Sequence, residues 1–404
     1  MRPTIFKGLL ALAVLGTALM QAPAQDKSKE DLQKEALALN TIRSEDAITK
    51  KIKDLSEDKK YARQLVQAAA TLLTKKEDNT FTYSGAHILG STAIETRDYK
   101  TAIEFLLIAI EKANKVKSEK KLANNRLLLT EAYLADHRPA DAEKVAQKIM
   151  GTDLRNIEEE DDQRLLWVFQ RYAENELVQA ALHQGKFDVA QQRLDKLLKV
   201  AEADGYPPAF KSLVNRTKAQ AYMYKGEFRD AIKVFDQLIE DTETEEGKER
   251  LREVIGNLEA DAGNVDKAYE ILSAQLKKKP DQAGINNDLG YILASHDRKL
   301  DEAEKMIRKA VELEPENSSF LDSMAWVLYK QKKYKEAKEF MLKAVAQERG
   351  KNTELMEHLG DIHVALGEKA DAKKAYEASL GAMTFNHKDQ KRKPEIEKKL
   401  KSMQ

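Results

Sequence analysis

Seven histidines (His87, His137, His183, His296, His358, His363 and His387) and 68 acidic side chains are the groups in this 404-residue chain that could hold a metal or move protons. The closest histidine pair is His358 and His363, five residues apart. On a helix that separation is a rotation of about 140°, so the two rings face different sides. The His-Glu-x-x-His spacing, which puts two ligands on one helix face, is absent. Cysteine is absent altogether, which removes disulfides, thiolate nucleophiles and Cys-ligated zinc. Gly-rich phosphate loops and a Gly-x-Ser-x-Gly elbow are also missing. Carboxylates are everywhere and no pair of them is singled out. The expectation is a chain that is not an enzyme, with no catalytic residue, no metal and no cofactor.

Whatever these side chains do, helices must position them. The chain is 42% apolar and 34% charged, with 17 Gly, 8 Pro and 6% aromatic residues. Little in that composition breaks helices and little builds sheets. Lys+Arg and Asp+Glu are equal at 68 each, so no net charge drives the chain toward nucleic acid or an anionic membrane surface. A chain of this length divides into globular domains unless it is a repeat array with no single core.

A repeat is visible in the second half. Gly290, Ala325 and Gly360 are 35 residues apart each time. Ala303, Ala337 and Ala372 follow at spacings of 34 and 35, as do Ala310, Ala344 and Ser379. A turn signal separates the first small residue of each set from the second: Gln331-Lys332-Lys333-Tyr334 in one unit, Gly367-Glu368-Lys369 in the next. Pro280 and Pro315 close two units. Two antiparallel helices approach closely only where side chains are small, and one such hairpin cannot bury its apolar stripe alone, so the units must stack.

Residues 283–382 resemble three consecutive tetratricopeptide repeats. NNDLGYILASHDRKLDEAEKMIRKAVELEP (286–315) and LDSMAWVLYKQKKYKEAKEFMLKAV (321–345) carry the family's pattern: Leu-Gly and then an aromatic or apolar residue in the first helix, Tyr-x-x-Ala, a second Ala and a Pro in the second. The first segment has one extra residue in its turn (His296–Lys299), and the second has Ala325 where the family often has Gly. The resemblance implies an all-α, right-handed superhelical solenoid of antiparallel helix hairpins.

The same phase continues upstream with looser spacing. Gly90, Ala102 and Ala109 keep the small-residue pattern, and Asp141-Ala142 after Pro139 opens another second helix. Gly185-Lys186-Phe187, Gly226-Glu227-Phe228 and Gly263-Asn264-Val265 each mark a turn. Eight hairpins are expected over roughly 84–382, with longer connections at Ile157–Gln163 and Gly205–Pro208. Divergent repeats then cover 84–282 and well-formed ones 283–382. Residues 25–80 read as a helical cap, begun by Ser44-Glu45-Asp46 and continued over Tyr61–Leu73. Residues 383–404 read as a basic, solvated capping tail, in which Pro394 opens a short helix with Ile396 and Leu400 on one face.

The first 24 residues read as a secretory signal. Arg2 and Lys7 give a positive start, Leu9–Met20 is uncharged, and Ala22-Pro23-Ala24 places cleavage before Gln25. The apolar run is short for a membrane span. Location in the periplasm or outside the cell is the expectation.

In the resembled family, ligands are held mainly by first-helix positions that line the inner face of the array. Carried onto this chain, those positions are Asn287 and Tyr291, then Asp322, Trp326, Tyr329 and Lys330, then Glu357 and Asp361. Asp322, Trp326 and Tyr329 share one helix face. The two aromatics either anchor a ligand or pack between neighbouring helices. A two-carboxylate clamp is not reproduced, since Asn257 alone occupies a comparable position, and the acidic residues favour a neutral or basic segment. On that reading Asp322→Asn and Asp361→Asn weaken binding and flatten its salt dependence. The expected function is a protein-binding adaptor or assembly factor of the cell envelope, with no role for nucleic acid. The alternatives are a structural spacer and an accessory subunit of an envelope polysaccharide or protease system.

Overall fold

The computed structural model describes residues 27–73, 80–203, 208–348 and 352–403. The export segment 1–24 and the connection Gly205–Pro207 lie outside them. Among the described residues there are twenty α-helices and no strand. The chain forms two compact units, one up to Ala180 and one from Ala181 onward.

In the first unit, α1 (Lys29–Ala38), α2 (Glu45–Glu57) and α3 (Lys59–Leu73) precede two hairpins, α4 (Tyr83–Glu95) with α5 (Tyr99–Lys115) and α6 (Glu119–Ala135) with α7 (Pro139–Met150). Then α8 (Glu160–His183) runs to the division between the units. Side-chain caps set the helix starts: Ser28, Ser44, Thr82, Asp98 and Ser118 each accept a hydrogen bond from a backbone N–H in the first turn. The amino-terminal helices pack on the first hairpin, so Leu32, Leu55 and Leu65 share one core with Ile88, Leu89 and Phe105. Asn40 ties the joint. Its side chain donates to the Thr80 carbonyl (2.9 Å) and accepts from the Thr82 N–H (2.8 Å).

The second unit runs from α9 (Phe187–Ala201) through five hairpins. They are α10 (Pro208–Lys225) with α11 (Phe228–Glu240), α12 (Glu245–Asp261) with α13 (Val265–Lys278), α14 (Ala283–Ser295) with α15 (Leu300–Leu313), α16 (Ser318–Lys330) with α17 (Tyr334–Gln347), and α18 (Thr353–Ala365) with α19 (Lys369–Ala382). The last helix is α20 (His387–Lys401). The core is a succession of small clusters, each shared between neighbouring hairpins. First helices lie side by side, α12 with α14, α14 with α16 and α16 with α18.

The turn inside each hairpin contains a residue at positive φ. Arg97 and His137 hold it in the first unit, and Gly226, Gly263, Asp297, Lys332 and Gly367 in the second, while Gly185 plays the same part between α8 and α9. At Lys332 the N–H donates to the Tyr329 carbonyl (2.8 Å) while the Lys333 N–H reaches back to Leu328 (2.9 Å), which closes the first helix and reverses the chain. The α14–α15 turn contains a second such residue, Lys299.

The small residues of the repeat sit where helices cross. Ala102, Ala109, Ala303, Ala310, Ala325, Ala337, Ala344 and Ala372 are fully buried, and Gly90, Gly290 and Gly360 are buried on their helices. A Cβ on Gly290 would lie 2.6 Å from Ile307 Cγ1 and 2.9 Å from the Ala303 carbonyl oxygen, too near for either to yield cheaply. Gly381, on α19, faces open space. Gly290→Ala therefore destabilises the second unit by about 1–3 kcal/mol, whereas Gly381→Ala is neutral or stabilises by up to about 1 kcal/mol. Urea denaturation of the two variants measures the contrast, and equal effects would contradict it.

Candidate functional site

The first helices of the last three hairpins carry the eight nominated positions, and a network of contacts links all of them but Asn287. Asp322 on α16 accepts from His358 on α18, Oδ1 to Nδ1 at 2.9 Å, and the histidine ring is buried. Trp326 stacks on that ring with centroids 3.9 Å apart, and Tyr329 stacks on Trp326 at 5.0 Å. Lys330 reaches Asp297 (3.0 Å) and lies over the Trp326 ring at 5.3 Å. Tyr291 on α14 donates from its hydroxyl to Glu354 on α18. Asn287 is buried, with its side-chain oxygen unpartnered. Trp326 thus packs between α16 and α18, and Tyr329 lies between Trp326 and Tyr334 of α17.

The face is not open. Helix α20 lies against α18, α19 and α10. From α20, Arg392 donates to Glu357 Oε2 (2.7 Å) and to Glu354. Lys399, seven residues on, donates to Glu357 Oε1 and to Asp361 Oδ2, both at 2.9 Å. Asp361 also accepts from the Tyr376 hydroxyl at 2.6 Å. Between the two cations, Ile396 is fully buried with Ala372 and Tyr376 of α19. Ahead of them, Lys388 reaches Asp261 at the end of α12 (2.8 Å).

These contacts correct three expectations. The tail is not wholly solvated, because Arg392 and Lys399 are held by α18 and Lys388 by Asp261, although Lys391, Lys393, Lys398 and Lys401 remain exposed. Its helix begins at His387, capped by the Asn386 side chain accepting from the Asp389 N–H (2.8 Å), and Pro394 lies inside it. The cap outweighs the proline as a start signal. Asp322 and Asp361 are internal partners of His358, Tyr376 and Lys399, so replacing them disturbs the array itself and does not isolate a ligand contact. Sequence reasoning missed Glu354, His358, Arg392 and Lys399. The seven-residue spacing of Arg392 and Lys399 was the available signal, because it places both on one face of a helix that continues through Pro394.

Electrostatics follow the reach of α20. Burial pushes the Glu357 carboxyl up, but Lys399 and Arg392 outweigh it and hold it below the usual carboxylate value. Glu354 is lowered in the same way: burial opposes, while Arg392, His358 and the Tyr291 hydroxyl prevail. Burial also disfavours the charged His358 ring, but Asp322, with Glu354 behind it, raises its pKa overall despite Arg392 nearby. Farther along the face, Glu253 on α12 is pushed up to about 7 by burial and by Asp288, and burial also raises Asp288. The first unit shows the uncompensated case. Burial pushes Glu131 and Glu176 up to about 7, each assisted by a neighbouring carboxylate. Among the described residues one cluster has metal-ligand reach, His363, Glu368 and Asp371. Lys338 already donates to both Glu368 oxygens at 2.7 Å.

Fold and site together define an array of tandem helical hairpins whose side chains are arranged for packing and recognition. Residues 216–283 and 253–318 match one description of the tetratricopeptide repeat, and residues 319–349 and 353–382 match another. The chain is a tetratricopeptide repeat protein, and such repeats are in general protein–protein interaction scaffolds. It is similar to a TPR repeat-containing protein of Pseudomonas aeruginosa, 27% identical over 180 residues, which are 45% of this chain and 29% of that one. The matched region thus spans less than a third of that relative's length. Among solved structures it is similar to a tetratricopeptide repeat protein from Parabacteroides merdae (TM-score 0.48, 14% identity, 70% of this chain and 98% of that one). It is also similar to a thermophilic TPR protein of Thermus thermophilus (TM-score 0.40, 13% identity, 48% and 98%).

Two pH effects of opposite origin follow. His358 has a raised folded pKa, so its stabilisation is fully present below its ordinary value of 6.5 and is lost as pH rises through the folded value. His358→Gln leaves Asp322 without its charged partner and costs about 3 kcal/mol at low pH. The gap between the wild-type and variant melting curves narrows above pH 6.5, and a constant gap would contradict the assignment. Glu176 loses stability in the same pH direction, but from a penalty on its charged form. Stability is lost as pH rises from its ordinary 4.5 toward about 7, because the folded state resists ionisation. Glu176→Gln removes that penalty and, after allowance for residual water, stabilises by roughly 1 kcal/mol at about pH 8. Below pH 4.5 it makes no difference. Melting temperatures at the two pH values test this.

Proposed function

We propose that the chain is a non-enzymatic scaffold or adaptor that is exported to the cell envelope and binds a partner polypeptide along the first-helix face of its last repeats. One observation carries the binding reading: that face already holds a helical segment, through charge-assisted hydrogen bonds from Arg392 and Lys399 to Glu354, Glu357 and Asp361. A row of first helices that seats one helix in this way has the acceptors and the aromatic surface to seat another. Export rests on the charge, the uncharged run and the small residues of the first 24 positions.

In-cell photo-crosslinking from Tyr329, with Lys309 on α15 as the control position, tests the first part. The expected result is one discrete adduct from Tyr329 alone. No adduct, or equal labelling from both positions, would overturn the binding reading. Amino-terminal sequencing tests the second part: the mature protein outside the cytoplasm should begin at Gln25, and an intact Met1 on a cytoplasmic protein would overturn it.

A further inference from the structure

Helix α20 is built unlike the helices it lies on. Ten of its fifteen residues are charged, Pro394 sits in its interior, and Ile396 alone is fully buried. An isolated helix of that length is marginal in water, and an interior proline weakens it further. Its helical form therefore depends on the surface beneath it. The attachments are mainly ion pairs in which the cations Arg392 and Lys399 stay partly exposed although Glu357 is buried, and salt competes for the exposed cations.

Its footprint is also larger than a terminal cap requires. A cap need cover only α19 and α18. The segment entering α20 instead seats Phe385 on the backbone of the Gly185 turn and His387 on that of the Gly226 turn. A Cβ on Gly226 would lie 2.5 Å from the His387 ring, which also meets Phe228 edge-on at 5.7 Å. With Lys388 on α12 and Arg392 and Lys399 on α18, the segment crosses several hairpins, as a bound ligand does.

We propose that α20 is a displaceable self-ligand, and that the partner replacing it is a basic amphipathic helix with two cations seven residues apart and an apolar residue between them. This rests on the binding function proposed above. Charge selects the chemistry. When α20 leaves, Glu354, Glu357 and Asp361 lose Arg392 and Lys399 together, and only an incoming segment with cations at matching positions restores those pairs. A neutral or acidic helix leaves three crowded carboxylates uncompensated.

The probe is a fluorescent peptide of residues 383–404, followed by anisotropy on the full chain and on its Arg392→Glu/Lys399→Glu variant, whose own α20 is repelled while the receiving face is intact. The peptide should bind the variant and not the wild type. Binding should weaken about tenfold between low salt and about 0.5 M NaCl, and should be lost when Arg392 and Lys399 of the peptide are replaced by Gln. Circular dichroism checks that the variant is folded. If it is not, Arg392→Gln/Lys399→Gln takes its place, and failure of that milder change to fold would make α20 an integral part of the array and overturn the proposal. Binding to neither protein would mean a permanent cap, and equal binding to both would mean a different surface. A concentration-dependent wild-type dimer that the variant loses would make the occupant a second copy. Each of these also overturns it. The peptide assay involves no cellular partner, so its failure leaves the Tyr329 adduct free to stand, and the reverse.

Discussion

Two helices can lie against each other only as closely as the side chains at their crossing allow, and this chain meets that limit with alanine and glycine. Ala303, Ala310, Ala337, Ala344 and Ala372 have no exposed surface, and Gly290 accepts Ile307 where even a methyl group would collide. The larger apolar residues then do not form one centre. They gather in small clusters, each completed by the next hairpin, so the length of the array and its stability grow together. The turns obey a matching constraint, with a left-handed residue between the two helices of each hairpin.

Tight packing of first helices brings their polar side chains together as well, and that crowding is resolved in two ways. On α18 the carboxylates of Glu354 and Glu357 are matched by Arg392 and Lys399 and stay ionised. Glu131 and Glu176 in the first unit, and Glu253 in the second, are driven toward neutrality instead, since burial and neighbouring acids both disfavour the charge. The same residue type in the same kind of helix therefore carries a different charge near neutral pH, depending on whether a cation reaches it.

Much of the fold was legible in the sequence because small residues at a fixed period have a single physical reading. The glycine turns at Gly185, Gly226, Gly263 and Gly367 were visible for the same reason. The positive φ at Arg97, His137 and Lys332 was not, since those residue types do not announce it. The candidate face was legible as a set of positions but not as a state. Asp322, Glu357 and Asp361 look like free acceptors in a linear sequence, and only the return of a helix from beyond residue 382 reveals their partners. That return was hidden by Pro394, read as a helix start when the capping side chain is Asn386. His358, which has no metal-ligand spacing to any other histidine in the sequence, is the group on which Trp326 and Asp322 converge.

The interior proline of α20 also sets an order of events. The hairpins consist of neighbours in sequence, so each closes as soon as its own residues are available. Helix α20 draws such local support only from α19, where Ile396 meets Ala372 and Tyr376, and its polar partners are remote. It needs Gly185, Gly226, Asp261 and Glu357, residues scattered over more than 170 positions of chain, to be in place already. The face it covers rests on contacts among α14, α16 and α18 themselves, so the receiving surface does not need its cover in order to form.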